Sequence, residues 1–243
     1  MHRCVHRLRS VKPRMKIHPP IFGHMKKCAL ILVLFSVCLL PSLAQTGLFM
    51  KTQFWGSQLE ISWLFFTSDK KVVRNPKFGV NPVQIPKEIS ENGRNVASYS
   101  LSGNRMNLRW GDGRVQNVNV EFKNGVLSAF DGGLCSKPNP FPFRYFNDKT
   151  YSGLAVVGNV TRTVTLFLGR DGRFRSDRIG AVSGTGNLTG VAAVEGSESG
   201  TYSINGNTIV FKYTNGAEWR AVAQPYDLGR EEIIVNDQLF KRD

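Results

Sequence analysis

The strongest constraint on the fold is an internal repeat. Residues 99–104 read Tyr-Ser-Leu-Ser-Gly-Asn, and residues 202–207 read Tyr-Ser-Ile-Asn-Gly-Asn, an offset of 103 residues. The match continues without a gap to Gly113 and Gly216, and it extends upstream at an offset of 102 and downstream at an offset of 105. A match that persists at nearly constant offset indicates duplicated structural units. We therefore predict a tandem duplication of residues 58–137 and 151–242.

The repeated unit has the pattern of antiparallel β-strands. Met106, Leu108 and Trp110 alternate with polar residues, as one buried face of a strand requires, and residues 117–122 and 209–213 alternate in the same way. Dipeptides that tolerate the positive φ values of tight turns separate these runs. They are Asn92-Gly93, Ser102-Gly103, Asp112-Gly113, Asn124-Gly125, Asp171-Gly172, Asn205-Gly206 and Asn215-Gly216. Helical periodicity is weak, so the sequence predicts an all-β antiparallel meander built from two tandem repeats.

The repeats divide the chain into four parts. We assign residues 1–44 to a leader, 45–137 to the first β repeat, 138–150 to a Pro- and aromatic-rich linker, and 151–243 to the second β repeat. The two repeats could form one pseudo-symmetric barrel or sandwich, or two small β domains. We favour the single closed unit, because joining the repeats would protect their sheet edges. Residues 75–86, with three prolines, are expected to form a surface loop, and their Gly-, Ser- and Thr-rich counterpart at 180–200 is expected to be mobile.

Residues 1–44 have the features of a leader with a signal peptide. Met25-Lys26-Lys27 supplies positive charge, residues 28–40 form an apolar run, and Ala44 ends a motif of small residues. The run is shorter than the roughly 20 residues of a spanning helix. We therefore predict cleavage after Ala44 and a secreted or periplasmic protein that meets the membrane only through its signal peptide, with Met25 as initiator. An uncleaved N-terminal anchor is the alternative.

The net charge of +14 is concentrated in this leader. Residues 1–44 contain eight Lys or Arg and no acid, which leaves 24 basic and 18 acidic residues, a net charge of +6, in the rest of the chain. A surplus of this size is ordinary for a soluble surface. We expect no specific nucleic-acid binding.

Histidine usage excludes several enzyme classes, because all four histidines precede Met25. The mature chain cannot assemble a Ser-His-Asp or Cys-His nucleophile. With Cys135 as its one cysteine, it also offers poor zinc ligands. We predict a protein without catalytic residues, cofactor or metal. Hydrolysis by a pair of carboxylates stays open.

The end of the second repeat resembles exported bacterial β-rich proteins. Residues 200–209, followed by Asn215-Gly216, have the pattern G-x-Y-x-I-x-G-x-x-I…N-G, and residues 165–174 and 234–242 are similar to segments of the same proteins. The resemblance implies a duplicated lipocalin-like or β-barrel-like unit in an exported bacterial protein. It carries over no functional residue.

Two aromatic residues at equivalent positions are candidate binding platforms. Trp110 follows Arg109, and Tyr213 follows Lys212. Aromatic faces can pack against ligand rings, so these four residues are candidates for a binding site. The alternative, which we favour, is that both rings are core residues with a solvated cation beside them.

The linker supplies a second group of candidates, Phe141, Phe143 and Tyr145, which Phe146 follows. If exposed, these rings would form an apolar contact surface. If buried, they would form the interface between the two repeats, and we favour this arrangement.

The sequence therefore predicts an exported, non-catalytic protein of the cell envelope that binds a ligand or partner through its β module. The partner would be a small molecule, a glycan or an envelope protein. One alternative is a structural or interaction protein of the envelope. The other is a carboxylate-dependent hydrolase acting on glycans.

Overall fold

The computed structural model describes residues 45–56, 58–142, 145–146, 148–157, 160–182, 193–227, 229 and 231–243. The predicted leader, Phe143 and residues 183–192 of the Gly-, Ser- and Thr-rich stretch lie outside the described residues. Within these ranges, no helix is long and apolar enough to cross a membrane.

Sixteen strands in the described ranges form two antiparallel closed barrels of eight strands each. The first barrel contains β1 (Gly47–Trp55), β2 (Gln58–Phe66), β3 (Lys71–Arg74), β4 (Val96–Ser102), β5 (Arg105–Trp110), β6 (Val115–Lys123), β7 (Val126–Phe130) and β8 (Gly133–Ser136). The second contains β9 (Lys149–Val157), β10 (Val160–Leu168), β11 (Arg173–Val182), β12 (Ala193–Asn205), β13 (Thr208–Tyr213), β14 (Glu218–Asp227), β15 (Glu232–Val235) and β16 (Gln238–Arg242).

Each barrel is a meander that closes by pairing its first strand with its last. Lys51 of β1 lies opposite Cys135 of β8, and Ser152 of β9 lies opposite Lys241 of β16. The prediction of an all-β antiparallel meander in two repeats is confirmed. Of the two arrangements, the structure has two β domains and not the single closed unit that we favoured. Eight strands suffice to close a barrel, so each repeat removes its own edges.

The barrels correspond strand for strand. Strands β1 to β3 begin 102 residues before β9 to β11, β5 and β6 begin 103 residues before β13 and β14, and β8 begins 105 residues before β16. These are the offsets of the sequence repeat. The structural unit is longer than the matched sequence, because it starts at Gly47 and Lys149 and so includes β1 and β9.

Alternating apolar residues fill the barrel interiors. Met106, Leu108 and Trp110 are buried while their neighbours on β5 are exposed, as predicted. Ile209 and Phe211 are buried at the equivalent positions of β13. Six of the seven predicted turn dipeptides connect consecutive strands directly, whereas Asn92-Gly93 lies within the longer connection between β3 and β4.

The connection between β3 and β4 contains a helix that the sequence pattern does not predict. Helix α1 (Ile85–Asn92) has a proline in its first turn and passes directly into a 3₁₀ turn (Gly93–Asn95), so a hairpin turn at Asn92-Gly93 is wrong. Glu88 is fully buried and accepts hydrogen bonds from the backbone N–H of Phe78 (2.9 Å) and the side-chain amide of Asn92 (2.8 Å). These bonds fix the loop that precedes the helix.

The outer faces of the two barrels pack against each other. Trp63 of β2 is buried there and donates its indole N–H to the backbone carbonyl of Asn236. The hydroxyl oxygen of Thr208 accepts hydrogen bonds from the backbone N–H groups of Val80 (2.8 Å) and Asn81 (3.0 Å). The apolar part of this interface comprises Met50, Ile61, Trp63, Val80, Val222 and Ile234.

Candidate functional site

One end of the second barrel carries a cleft of about 660 Å³, which we call the mouth. The β10–β11 turn, the β12–β13 turn and the linker that leads into β9 surround it. Small-molecule sites span roughly 300–1,000 Å³, so the mouth is large enough for one. Its lining residues are Phe141, Pro142, Tyr145, Phe146, Arg170, Gly172, Tyr202, Ser203, Ile204 and Gly206.

An aromatic cluster forms the floor of the mouth. The ring centroid of Phe146 lies 5.1 Å from Phe141, 5.2 Å from Tyr145, 5.8 Å from Tyr151 and 5.9 Å from Tyr202. These are favourable separations for aromatic pairs. The linker rings pack on the core of the second barrel, Phe141 and Tyr145 half-buried and Phe146 buried. The expectation that they form the interface between the repeats is therefore wrong.

Three tyrosine hydroxyls lie at or next to the mouth, and they differ in whether they form a hydrogen bond. Tyr202 donates to the carbonyl of Gly169 at 2.8 Å, and Tyr145 donates to the carbonyl of Glu232 at 3.4 Å. Tyr151 is fully buried, and its hydroxyl has no hydrogen-bond partner in the described part of the chain. Leaving a buried polar group unpaired costs about 1–3 kcal/mol, so this hydroxyl is the feature of the mouth that most needs an explanation.

Burial keeps all three hydroxyls protonated. It raises the pKa of Tyr145 and of Tyr202 to about 12. It also raises the pKa of Tyr151, and the neighbouring Tyr145 acts in the same direction. At neutral pH the Tyr151 hydroxyl therefore has a proton to donate.

The corresponding end of the first barrel is filled by Gln45. The side-chain amide of Gln45 donates to the carbonyl of Gly125 (2.8 Å) and accepts from the backbone N–H of Leu127 (3.2 Å). Its backbone carbonyl accepts from the hydroxyl of Tyr99 (3.3 Å), the counterpart of Tyr202. The counterpart of Tyr151 is Phe49, which has no hydroxyl to satisfy. The unpaired polar group is therefore a property of the second barrel.

Charged side chains in the described rim of the mouth form ion pairs. Asp148 accepts a hydrogen bond from the backbone N–H of Arg170 (2.9 Å) and pairs with its guanidinium, and these contacts lower the pKa of Asp148. Glu231 pairs with Lys149 and Arg242. These charged side chains of the described rim are therefore all paired, and the lining combines aromatic and aliphatic side chains with the polar groups of Arg170 and Ser203.

The first barrel holds one wall of the mouth in place. Asn207, in the β12–β13 turn, donates its backbone N–H to the side-chain carbonyl of Asn81 (3.2 Å) and its amide to the linker carbonyl of Asn139 (2.9 Å). Thr208 follows directly and accepts the two bonds from residues 80 and 81. Gly79 approaches so closely that an added Cβ would lie 2.5 Å from Cγ2 of Thr208. The turn is thus clamped between the linker and the loop before α1.

The structure brings only part of the predicted set together. Phe141 and Tyr145 lie side by side at the mouth, with ring centroids 5.4 Å apart. Trp110 is buried in the core of the first barrel, and Tyr213 packs half-buried on the core of the second, 5.3 Å from the ring of Phe174. Their neighbours Arg109 and Lys212 are exposed. Phe143 lies outside the described residues.

No protein-family model, curated protein or solved structure matches this chain. Within the described ranges, no group of three His, Cys, Asp or Glu is placed to hold a metal ion. Sequence reasoning missed Tyr202, which lines the mouth, and Tyr151, whose ring packs against Phe146. Aligning Tyr151 with Phe49 at the 102-residue offset would have marked it, because the repeat places a polar group where its counterpart is purely apolar.

Proposed function

We propose that this chain is an exported, non-catalytic binding protein of the cell envelope that holds a small ring-bearing molecule at the mouth of the second barrel. One observation carries the proposal: a cleft of about 660 Å³ is lined by Phe146, whose ring lies 5.8 Å from that of Tyr151, a buried residue whose hydroxyl has no partner among the described residues. The predicted leader and the resemblance to exported bacterial β proteins support export.

The lining defines the chemistry of the ligand. Phe141, Tyr145 and Tyr202 offer ring faces and edges, and Ile204 adds aliphatic surface. Since the rim charges are paired, the mouth favours an uncharged, largely apolar ring system. A single hydrogen-bond acceptor on the ligand would accept a hydrogen bond from the Tyr151 hydroxyl once Phe146 shifts to admit it. This bond would remove the cost of the unpaired hydroxyl.

The proposal can be tested with N-phenyl-1-naphthylamine, an uncharged aromatic amine whose fluorescence increases in apolar surroundings. The full chain is titrated with this probe alongside two variants. Ile204→Trp adds bulk at the mouth, and Leu101→Trp adds the same bulk at the equivalent, half-buried position of the first barrel. Circular dichroism establishes that both variants are folded.

We expect saturable binding to the wild type and to Leu101→Trp, and a loss of binding in Ile204→Trp. Should Ile204→Trp fail to fold, Phe141→Ala replaces it, since this side chain lines the mouth from the linker, and it should weaken binding. Undiminished binding in the folded mouth variant, or no binding to the wild type, would refute the proposal. If the probe binds as expected, mass spectrometry of small molecules that co-purify with the chain identifies the natural ligand.

A further inference from the structure

A second, smaller cleft lies between the two barrels, away from the mouth. It has a volume of about 250 Å³ and is lined by residues of both barrels. The first barrel contributes the loop and helix end between β3 and β4, and the second contributes the start of β14 and the β15–β16 turn. The β15–β16 turn is at the barrel end opposite the mouth, so the two clefts are separate.

Trp219 gives this cleft an aromatic platform. Its indole stacks on the buried ring of Phe211, with centroids 5.3 Å apart and an interplanar angle of 18°. Phe211 covers one face of the indole, yet Trp219 is 41% exposed and lines the cleft. Because Phe211 holds the indole in place, its exposed part can receive a ligand ring without reorganising.

Two asparagines of the cleft are oriented by backbone hydrogen bonds. The side-chain carbonyl of Asn75 accepts from the backbone N–H of Trp63 (2.8 Å), and that of Asn236 accepts from the backbone N–H of Val222 (3.0 Å). Each bond fixes the amide plane, and neither NH₂ group donates a hydrogen bond to another described residue. The cleft therefore has two preoriented donors.

The charges of the cleft are predominantly positive. Lys77 and Arg94 line it and form no ion pair with a described residue, whereas Arg220 pairs with Glu218 at 2.8 Å. Asp237 is the one acid among the described residues of the lining. Donors and unpaired cations thus outnumber acceptors, and such a site suits an acceptor-rich, anionic group.

We propose that the cleft between the barrels binds an acidic sugar residue, a saturated ring that carries a carboxylate, phosphate or sulfate group. The apolar face of the ring would lie on Trp219. Its hydroxyls would accept from the amides of Asn75 and Asn236, and its anionic group would meet Lys77 and Arg94. The volume fits one such ring, and the site is independent of the mouth of the second barrel.

Two tetrasaccharides that differ in charge test this site by isothermal titration calorimetry. The hyaluronan tetrasaccharide carries carboxylates, and tetra-N-acetylchitotetraose is its neutral counterpart. The full chain is compared with Trp219→Ala, with the double variant Lys77→Gln/Arg94→Gln, and with Trp55→Ala. Trp55 is the control, because it is 62% exposed, donates to Glu60 and does not line the cleft.

We expect the hyaluronan tetrasaccharide to bind and tetra-N-acetylchitotetraose to bind at least about tenfold more weakly, as the loss of charge-assisted hydrogen bonds implies. Trp219→Ala should lose binding, the double variant should lose the preference for the hyaluronan tetrasaccharide, Trp219→Tyr should restore part of the binding, and Trp55→Ala should match the wild type. Ile204→Trp, which blocks the mouth, should also bind normally. Equal affinity for both tetrasaccharides, no measurable binding, or binding that survives Trp219→Ala would overturn the proposal.

Discussion

Tyr151 and Phe49 occupy the same position in the two barrels, opposite Leu166 and Leu64 respectively. Both side chains are fully buried, and they differ by one hydroxyl group. In the second barrel this hydroxyl has no partner among the described residues. Phe49 is thus an internal control for the effect of the Tyr151 hydroxyl on stability and on ligand binding.

Removing the Tyr151 hydroxyl should weaken ligand binding without lowering the stability of the fold. Tyr151→Phe is expected to leave the free energy of unfolding unchanged or to raise it by about 1 kcal/mol, because an unpaired buried group is lost. The same variant should bind an acceptor-bearing aromatic probe, such as 1-naphthaldehyde, more weakly than the wild type does. Urea denaturation and a fluorescence titration measure the two effects.

The reciprocal variant is the matched control. Phe49→Tyr introduces a hydroxyl into the filled end of the first barrel and should lower the free energy of unfolding by about 1–3 kcal/mol. Probe binding should not change. A clear loss of stability in Tyr151→Phe would show that the hydroxyl already has a partner, and would contradict its assignment to a ligand.

The contact between Gly79 and Thr208 should be essential for the junction of the barrels. Gly79 has a φ of +75° and no room for a Cβ, whereas Gly113 has a φ of +86° and open space around it. Gly113→Ala should lose about 1 kcal/mol from backbone strain alone. Gly79→Ala should lose about 1–3 kcal/mol more from overpacking against Thr208. Similar denaturation midpoints for the two variants would show that residues 79–82 do not clamp the β12–β13 turn.

Cys135 should react slowly while the chain is folded. It packs half-buried against the core of the first barrel, and burial raises the pKa of its thiol to about 12, although Lys51 opposes this shift. Against an ordinary pKa of about 8.5, alkylation by iodoacetamide at pH 8 should be roughly a thousandfold slower than in the denatured chain. Since the folded state favours the protonated thiol, stability should fall as the pH rises above the unfolded pKa. Equal alkylation rates with and without denaturant would show that the thiol is accessible.

Acid should weaken the rim of the mouth. The hydrogen-bonded ion pair with Lys149 is the main cause that lowers the pKa of the Glu231 carboxyl, and the ion pair with Arg242 lowers it further. A lowered folded pKa means that the carboxylate stabilises the fold above its unfolded pKa of about 4.3, and that this contribution is lost as the pH falls through the folded value. Glu231→Gln should remove the contribution at pH 7 and flatten the decline in urea midpoint below about pH 4.3. A decline as steep as that of the wild type would assign the acid sensitivity to other groups.

The sequence predicts the strands better than their closure. The alternation of Met106, Leu108 and Trp110 and the turn dipeptides are local signals, and they place strands and hairpins correctly. Whether β1 pairs with β8 of its own repeat or with the other repeat is decided by contacts some 85 residues apart, such as Lys51 with Cys135. Period-2 alternation is the same in both cases, so it cannot distinguish them. Helix α1 has no apolar stripe, because the side chains that it buries are Glu88 and Asn92.

The candidate site was predictable only in part. Phe141 and Tyr145 stand out because aromatic residues in a Pro-rich linker are conspicuous in a sequence. Trp219 does not stand out, since single aromatic residues on strands are most often core residues, and Tyr151 does so only when it is aligned with Phe49 of the first repeat. Tyr151 is distinguished by a hydroxyl without a partner among the described residues, and Trp219 by an indole that stacks on Phe211 yet remains partly exposed. Both properties depend on neighbours from distant parts of the chain.

The most direct test of ligand binding at the mouth is to locate the probe by NMR. The chain is deuterated except at tyrosine, saturated with N-phenyl-1-naphthylamine, and examined for intermolecular nuclear Overhauser effects, with Tyr→Phe variants to assign the six tyrosines. We expect contacts from the probe to the rings of Tyr145 and Tyr202, and none to Tyr99 at the filled end of the first barrel. Contacts to Tyr99, or their absence at Tyr202 in the saturated protein, would contradict a ligand site at the mouth of the second barrel.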